Sequence, residues 1–350
     1  EDFLDAARLI AQEDLFAIGV RALSGAIDPV DAGPAFSALA DRLLDATLDH
    51  VQKAFAQEYG RVPGGRLAIL AMGKLGSREM TATSDLDLVI VYDFDEASNE
   101  SDGRRPLHAV QYYTRLTQRL ISALTVATRR GPLYEVDMRL RPSGKKGPLA
   151  VQLSSMVAYN RDEAETWEHM ALTRARPICG DASLMADVRR EIDAVLAMPR
   201  DRRALATAIR EMRELIAREK GDADPSDLKL FRGGLIDIEF SAQFLQLAHA
   251  CRFPELLGLG TSDAVKRAAE LKLLTPEQGE RLAAAHRFYT DVVQMQRVLL
   301  PAGVKPDAAA PSVRRRIATC AGLPDDKRLD LDILDTATAV TAICADLLPP

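Results

Sequence analysis

Strand-type patterning in this 350-residue chain is confined to one stretch, roughly residues 60–150, and that confinement limits its possible folds more than any other feature. Leu67-Ala-Ile-Leu-Ala-Met72 is a six-residue apolar run following the Gly64-Gly65 pair, which suits a buried strand better than a helix. Leu86 to Tyr92 is rich in β-branched residues and reads the same way. Residues 133–141, LYEVDMRLR, alternate: Tyr134, Val136, Met138 and Leu140 share one face, and Glu135, Asp137, Arg139 and Arg141 share the other. Helical spacing surrounds these segments. It runs through Phe36, Leu39, Leu43, Leu44, Leu48, Val51 and Phe55, and again from Leu107 to Leu124 after Pro106. Beyond about residue 155 the strand signals fade. Helices are expected around 205–216, 236–247, 262–300 and 328–348. The expected fold is α+β: an N-terminal helical segment (1–58), a small mixed sheet with helices (59–153) and an all-α bundle (154–350).

The chemistry concentrates where the strands begin. Asp85 and Asp87 are two apart at the start of a strand, so their carboxylates point to one face. If the 133–141 strand pairs with this one, Asp137 on its charged face becomes a third member. Converging hard oxygen ligands suit Mg²⁺, and three close carboxylates raise each other's pKa unless cations fill the site. Two ions resolve the repulsion and form a clamp for in-line phosphoryl displacement. Gly76-Ser77, in a turn after a strand, would let backbone N–H groups approach a triphosphate, with the serine hydroxyl as a further donor. Arg139 and Arg141 could reach phosphate oxygens as planar forks; Lys74, and Ser84 just before the acidic pair, complete the expected nucleotide-binding set. The competing reading of Asp137 and Arg139 is an exposed salt bridge, which would contribute at most about 1 kcal/mol. Asp93 and Asp95 read as a solvated loop.

Composition removes several other classes. The chain is 47% hydrophobic and 27% charged, a globular balance. A net charge of -6 argues against broad nucleic-acid binding, though a local basic patch for phosphates is compatible with it. No apolar run approaches the ~20 residues of a membrane span, and no secretory signal pattern opens the chain. Four dispersed cysteines and five scattered histidines give no zinc pattern and point to a reducing, cytoplasmic setting. Glu1 in place of Met suggests a piece of a longer polypeptide.

Four blocks, in order, also carry a resemblance. AMGKLGSREMTATSDLDLVIVY (71–92), LYEVDMRLRPSG (133–144), TWEHMALTRARPICGD (166–181) and GGLIDIEF (233–240) resemble signatures of the glutamine synthetase adenylyltransferase family. The family has two halves, one attaching AMP and one removing it by phosphorolysis. Each half pairs a polymerase-beta-like nucleotidyltransferase domain with a helical bundle. The resemblance implies Asp85, Asp87 and Asp137 as the metal-binding carboxylates, with Gly76 and Ser77 as the phosphate-facing turn. Ser77 stands where many members have a second glycine.

Glu135 within Tyr134-Glu-Val-Asp137, the Thr166-Trp-Glu-His169 block, Pro142-Ser143-Gly144 and Asp237 look like the adenylylating half. The removing half tends to carry a basic residue at the position of Glu135. The implied reaction transfers AMP from ATP, with Mg²⁺, to a tyrosine of glutamine synthetase. The implied regulators of the longer enzyme are the PII signalling protein and glutamine. The alternatives are the removing reaction and a non-catalytic nucleotide-binding module. Trp167 reads as core or as pocket lining, and Arg174 and Arg176 as phosphate contacts or surface ion pairs. Asp237 and Glu239, two apart on a helix, face different ways and read as domain-interface residues.

Overall fold

The computed structural model describes residues 2–301 and 304–349. Two long helices open the chain, α1 (Asp2–Ser24) and α2 (Pro29–Tyr59), the second with proline in its first turn, where the missing N–H is harmless. Strand β1 (Arg66–Ala71) follows, then the single turn α3 (Gly73–Gly76) and strand β2 (Leu86–Asp93). Next come α4 (Ala109–Thr125), the two-residue strand β3 (Val136–Asp137) and the short β4 (Ala150–Gln152). Helices α5 (Leu153–Asp162) and α6 (Thr166–Leu172) lead to β5 (Arg176–Gly180). The rest is helical: α7 (Ala182–Leu196), α8 (Arg202–Lys220), α9 (Leu235–His249), α10 (Thr261–Glu270), α11 (Pro276–Leu299), α12 (Pro311–Cys320) and α13 (Asp326–Leu347). None of these helices is long and apolar enough to cross a membrane.

The sheet runs β3-β2-β1-β5, with β4 also on β2. Strands β1 and β2 pair antiparallel from Arg66↔Asp93 to Ala71↔Leu88. Their apolar runs lack alternation because both faces are covered, so nearly every residue is buried. Strands β3 and β4 lie on the same edge of β2, both parallel to it, at opposite ends. β5 pairs antiparallel with β1, with a register shift at Ile69/Leu70.

Three expectations are corrected here. The sheet takes an edge strand from 176–180, so the boundary at 153 falls short of its last member. The 133–141 strand shrinks to Val136–Asp137, because the chain turns at 138–144 and Ser143 adopts a left-handed φ of 59°. The expected helix over 262–300 is two helices. Lys272 has a φ of 59°, and Thr275 and Gln278 form a capping box that restarts the chain as α11.

Helix α9 is central to the helical part and packs against α6, α8, α10, α11 and α13. It is buried on nearly all sides, Asp237 included. That carboxylate is satisfied by Arg213 Nε at 2.5 Å and by the Gly233 amide at 2.6 Å. Gly233 has a φ of +81°, and a Cβ there would lie 2.2 Å from the Ala337 carbonyl oxygen, so the glycine permits this tight helix start. Asp237 therefore stabilises the interior of the helical part and is not an interface residue. Glu239 is one: it crosses to Arg174, just ahead of β5, at 3.0 Å.

Candidate active site

The parallel register of β2 and β3 places Asp87 beside Asp137. Neighbouring strands lie about 4.8 Å apart, so the two side chains leave adjacent backbones. The pairing is fixed by Leu86 N–H donating to the Glu135 carbonyl at 2.9 Å. Asp85 lies one residue before β2 and is exposed; Asp87 is half-buried. Asp87 also abuts the turn after β1, because its carbonyl accepts from the Met72 amide at 2.9 Å. A Cβ on Gly73 would sit 2.2 Å from Asp87 Oδ2, and Gly73 has a φ of +51°. Glycine is thus required where the backbone meets this carboxylate.

Electrostatics show a site with more negative charge than its cations balance. Burial, then the charges of Asp85 and Asp137, push the Asp87 carboxyl up to about 6, while Lys229 and Arg139 oppose the shift. Asp137 behaves in the opposite way. The side-chain hydrogen bond from Arg139 holds it below the usual carboxylate range. Arg139 Nε donates to Oδ2 at 2.6 Å, its Nη2 contacts the same oxygen, and its amide donates to Oδ1 at 2.8 Å. The Asp137–Arg139 ion pair weighed against a metal role is therefore present. Among the described residues, no three Asp, Glu, His or Cys side chains are gathered closely enough to hold an ion as they stand.

The nucleotide-binding set divides. The Gly76 and Ser77 amides close their own turn, donating to Met72 O at 2.9 Å and Gly73 O at 3.1 Å, so they are not presented outward as expected. Gly76 is small for another reason: a Cβ would lie 1.9 Å from the Arg174 carbonyl oxygen. The Ser77 hydroxyl donates to Glu79 Oε2 at 2.9 Å. Ser84 Oγ accepts from the Thr81 amide at 2.9 Å and closes the turn that precedes Asp85.

Arg141 is not on the charged face. It is buried, with Nη1 on the Met138 carbonyl at 2.6 Å and Nη2 on the Gly147 carbonyl at 3.2 Å, because period-two alternation ends where the strand ends. Lys74 alone in this set is a half-buried cation for which the described residues supply no ion-pair partner. Burial, then Lys229, Arg297 and Arg174, lower its ammonium pKa against the pull of Glu239.

The remaining candidates are placed as follows. Trp167 is 40% exposed and is not core. Glu168 serves the capping box of α6 and accepts from the Tyr159 hydroxyl at 2.7 Å, and His169 Nε2 lies 2.8 Å from the Asn160 carbonyl. Arg174 is enclosed between Glu239 at 3.0 Å and Glu79 at 3.7 Å. Arg176 forks onto Asp41 of α2 at 2.9 and 3.0 Å and also donates to the Leu75 carbonyl at 3.0 Å, fixing the back of α3. Both arginines are held in part-buried ion pairs. Asp93 pairs with Arg66 at 2.7 Å, and Asp95 caps a short 3₁₀ turn. A cavity of about 1080 Å³ is lined by Ser77, Glu79, Arg174, Thr261 and His286 among others, but by none of the three aspartates. Lys229, whose charge opposes the Asp87 shift, and Arg297, whose charge bears on Lys74, lie far along the chain with no spacing relation to the acidic motif.

Comparison with known proteins finds relatives over nearly the whole chain. A family model described as glutamate-ammonia ligase adenylyltransferase matches residues 1–191, and one described as GlnD PII-uridylyltransferase matches 204–348. A bifunctional glutamine synthetase adenylyltransferase/adenylyl-removing enzyme of Rhodopseudomonas palustris (strain HaA2) is 47% identical over 343 residues, 98% of this chain and 35% of that protein. Proteins of the same description from Xanthobacter autotrophicus and Brucella suis are 47% and 48% identical, over 99% and 98% of this chain and 35% of each relative. The chain thus spans about 35% of the length of the curated relatives it matches.

Proposed function

Because the chain belongs to the glutamate-ammonia ligase adenylyltransferase family, we propose that it transfers AMP from ATP to a tyrosine hydroxyl of glutamine synthetase, releasing pyrophosphate. The single observation that carries the reading is the parallel β2–β3 register, which sets Asp87 beside Asp137 with Asp85 two residues away. In this reaction the tyrosine oxygen bonds to the α-phosphorus, the bridging bond to the β-phosphate breaks, and the hydroxyl proton leaves to solvent.

Asp85, Asp87 and Asp137 would hold Mg²⁺, two ions in the proposed mechanism. The donor set fits: all ligands are carboxylate oxygens, the Asp87 carboxyl is raised first by burial and then by Asp85 and Asp137, and a cation already sits against Asp137 as the Arg139 guanidinium. When bound, the metal would polarise the α-phosphate and stabilise charge on the leaving pyrophosphate. Arg139 is 68% exposed, so its side chain is free to release Asp137 and turn toward phosphate. Gly73 lets the backbone approach the Asp87 carboxylate, and Arg176 with Asp41 holds α3 against the sheet. The helical part matches a model named for uridylyl transfer. Adenylyl and uridylyl transfer differ in base, and a nucleoside triphosphate donor is common to both, which supports a role for 204–348 in handling the nucleotide.

The adenylylating direction rests on Glu135 and the 166–169 block. The removing reaction is the alternative within the same family. In the longer protein, PII and glutamine would choose between the two, in the cytoplasm. The test incubates the purified chain with glutamine synthetase and labelled ATP, and separately with adenylylated glutamine synthetase and phosphate. Label transfer in the first and no AMP release in the second is expected; the reverse pattern would assign the removing half. Asp85→Asn should abolish Mg²⁺-dependent transfer while keeping the fold, and full turnover in that variant would remove the metal reading.

A further inference from the structure

Helix α1 is apolar on both faces. Its fully buried positions are small, Ala7, Ala11, Gly19 and Ala22, joined by Arg8. These let the helix lie close on its neighbours: a Cβ on Gly19 would come within 3.6 Å of Val298 in α11, and Phe3 stacks on His50 of α2 with ring centroids 4.3 Å apart. Arg8 ties the inner face down by donating to the Gly131 carbonyl at 2.6 Å and the Val126 carbonyl at 2.8 Å. Leu4, Leu15 and Ile18 pack along the margin of the core. The outer face carries large apolar side chains as well. Phe16 is 74% exposed, with Ile10, Val20 and Leu9 also exposed beside Ala6 and Ala17. A helix apolar all round is one that is covered on all sides.

The exposed stripe is ordered. Leu9, Glu13, Phe16 and Val20 follow in steps of four, three and four, and Ile10 and Ala17 form a second row seven apart. That spacing is the seam of a helix packed lengthwise on another helix at a shallow angle. From Ala6 to Val20 the stripe runs about 21 Å, and at about 10 Å wide it presents on the order of 200 Å². Stable complexes between separate proteins bury roughly 800 Å² per partner, so this stripe is too small to hold one unaided. A segment tethered to the same polypeptide needs less, because effective concentration replaces part of the contact area.

Glu13 separates the remaining occupants. Its neighbour Asp14 reaches Arg42 at 3.9 Å, but Glu13 has no cation within ion-pair distance among the described residues. A second copy of α1 packed parallel would set Glu13 against Glu13. Packed antiparallel with Leu9 against Val20, it would set Glu13 against Phe16. Either arrangement covers a carboxylate without a partner, which is unfavourable. A helix bearing Lys or Arg at the facing position avoids that. The relatives are long enough to supply one, since the chain matches only 35% of each.

We infer that the outer face of α1 is the docking surface for an amphipathic helix from the part of the longer polypeptide outside these 350 residues, with a Lys or Arg of that helix against Glu13. This is independent of the nucleotidyl-transfer reading and stands or falls without it.

The test places a photoreactive benzophenone side chain at position 16 of the full-length polypeptide and maps the cross-linked peptides by mass spectrometry. The expected product joins α1 to a segment outside these residues, and that segment carries Lys or Arg. A product joining two copies of α1, a product within residues 1–350, or no peptide product overturns the docking surface. Amide exchange supplies a second measurement. The α1 amides should exchange at least about tenfold more slowly in the full-length polypeptide than in the 350-residue chain, and equal rates overturn the inference. Phe16→Glu and Glu13→Lys should each speed α1 exchange in the full-length polypeptide by at least about threefold. In the 350-residue chain, where both positions are exposed, the same variants should leave the urea midpoint and the mass in solution unchanged. A halved mass on Phe16→Glu would make the face a contact between copies and overturn the tethered helix.

Discussion

Replacing Asp87 with asparagine should make the metal-free protein more stable and the enzyme inactive. In the folded chain the Asp87 carboxyl is raised from 3.8 to about 6, first by burial and then by Asp85 and Asp137. A shift of that size corresponds to roughly 3 kcal/mol between protonation states, and solvent screening of a half-buried group reduces this to about 1–2 kcal/mol. A raised folded pKa means that folding favours the protonated form. Its stabilising contribution is therefore fully present below about pH 4 and is lost as pH rises through about 6. Asparagine keeps the shape and cannot ionise. Urea denaturation in chelator-containing buffer should find Asp87→Asn more stable than wild type by about 1–2 kcal/mol at pH 7.5, with the difference narrowing as pH falls through about 6 and closing only below about pH 4. Labelled-ATP transfer should fall by at least about a hundredfold, the loss of roughly 2.7 kcal/mol of transition-state stabilisation. A variant less stable than wild type at pH 7.5, or a difference that does not vary with pH, would refute the claim that these acids strain the site.

Three further outcomes follow from the packing. Gly76→Ala would push a methyl to 1.9 Å from the Arg174 carbonyl and 2.8 Å from the Ala71 carbonyl; both are backbone, so a loss above about 2 kcal/mol is expected by urea denaturation. Arg141→Lys removes the fork that bridges the Met138 and Gly147 carbonyls; amide hydrogen exchange should accelerate over 138–149 at least about tenfold while the β1–β2 amides stay protected. Asp291 is raised to about 6, chiefly by burial, and accepts from the Val30 amide at 2.8 Å. Asp291→Asn keeps an acceptor for that amide, so it should gain about 1 kcal/mol over wild type as pH rises from 4.5 to 7.5, and a flat difference would contradict the burial argument.

Much of the site was legible because the acidic motif sits where local rules hold. Asp85 and Asp87 flank the first residue of a buried strand, and the alternating 133–141 segment holds Asp137, whose backbone pairs beside Asp87. The same alternation misplaced Arg141, since a period of two has no meaning once the backbone turns. β5 was missed because Arg176-Pro-Ile-Cys-Gly180 carries a proline and no alternation, features tolerated at a sheet edge. The break before α11 was readable in Thr275-Pro-Glu-Gln278, a capping signal that the longer apolar rhythm of 262–300 concealed. Arg174 and Arg176 sit in a sequence that reads as surface, yet tertiary partners at Glu239 and Asp41 draw them inside. Arg174 and Glu239 illustrate the general limit: residues brought together by tertiary packing leave no spacing signature.

The position of β5 also governs how this protein can be divided and made. A fragment ending at residue 153 would strip β1 of β5, the neighbour on its outer edge, and leave a row of unpaired amides and carbonyls on an apolar strand, an invitation to aggregate. On the ribosome, too, the sheet stays unfinished until Gly180 has emerged, well after Asp137, so the acidic cluster is synthesised in full before the scaffold beneath it can close.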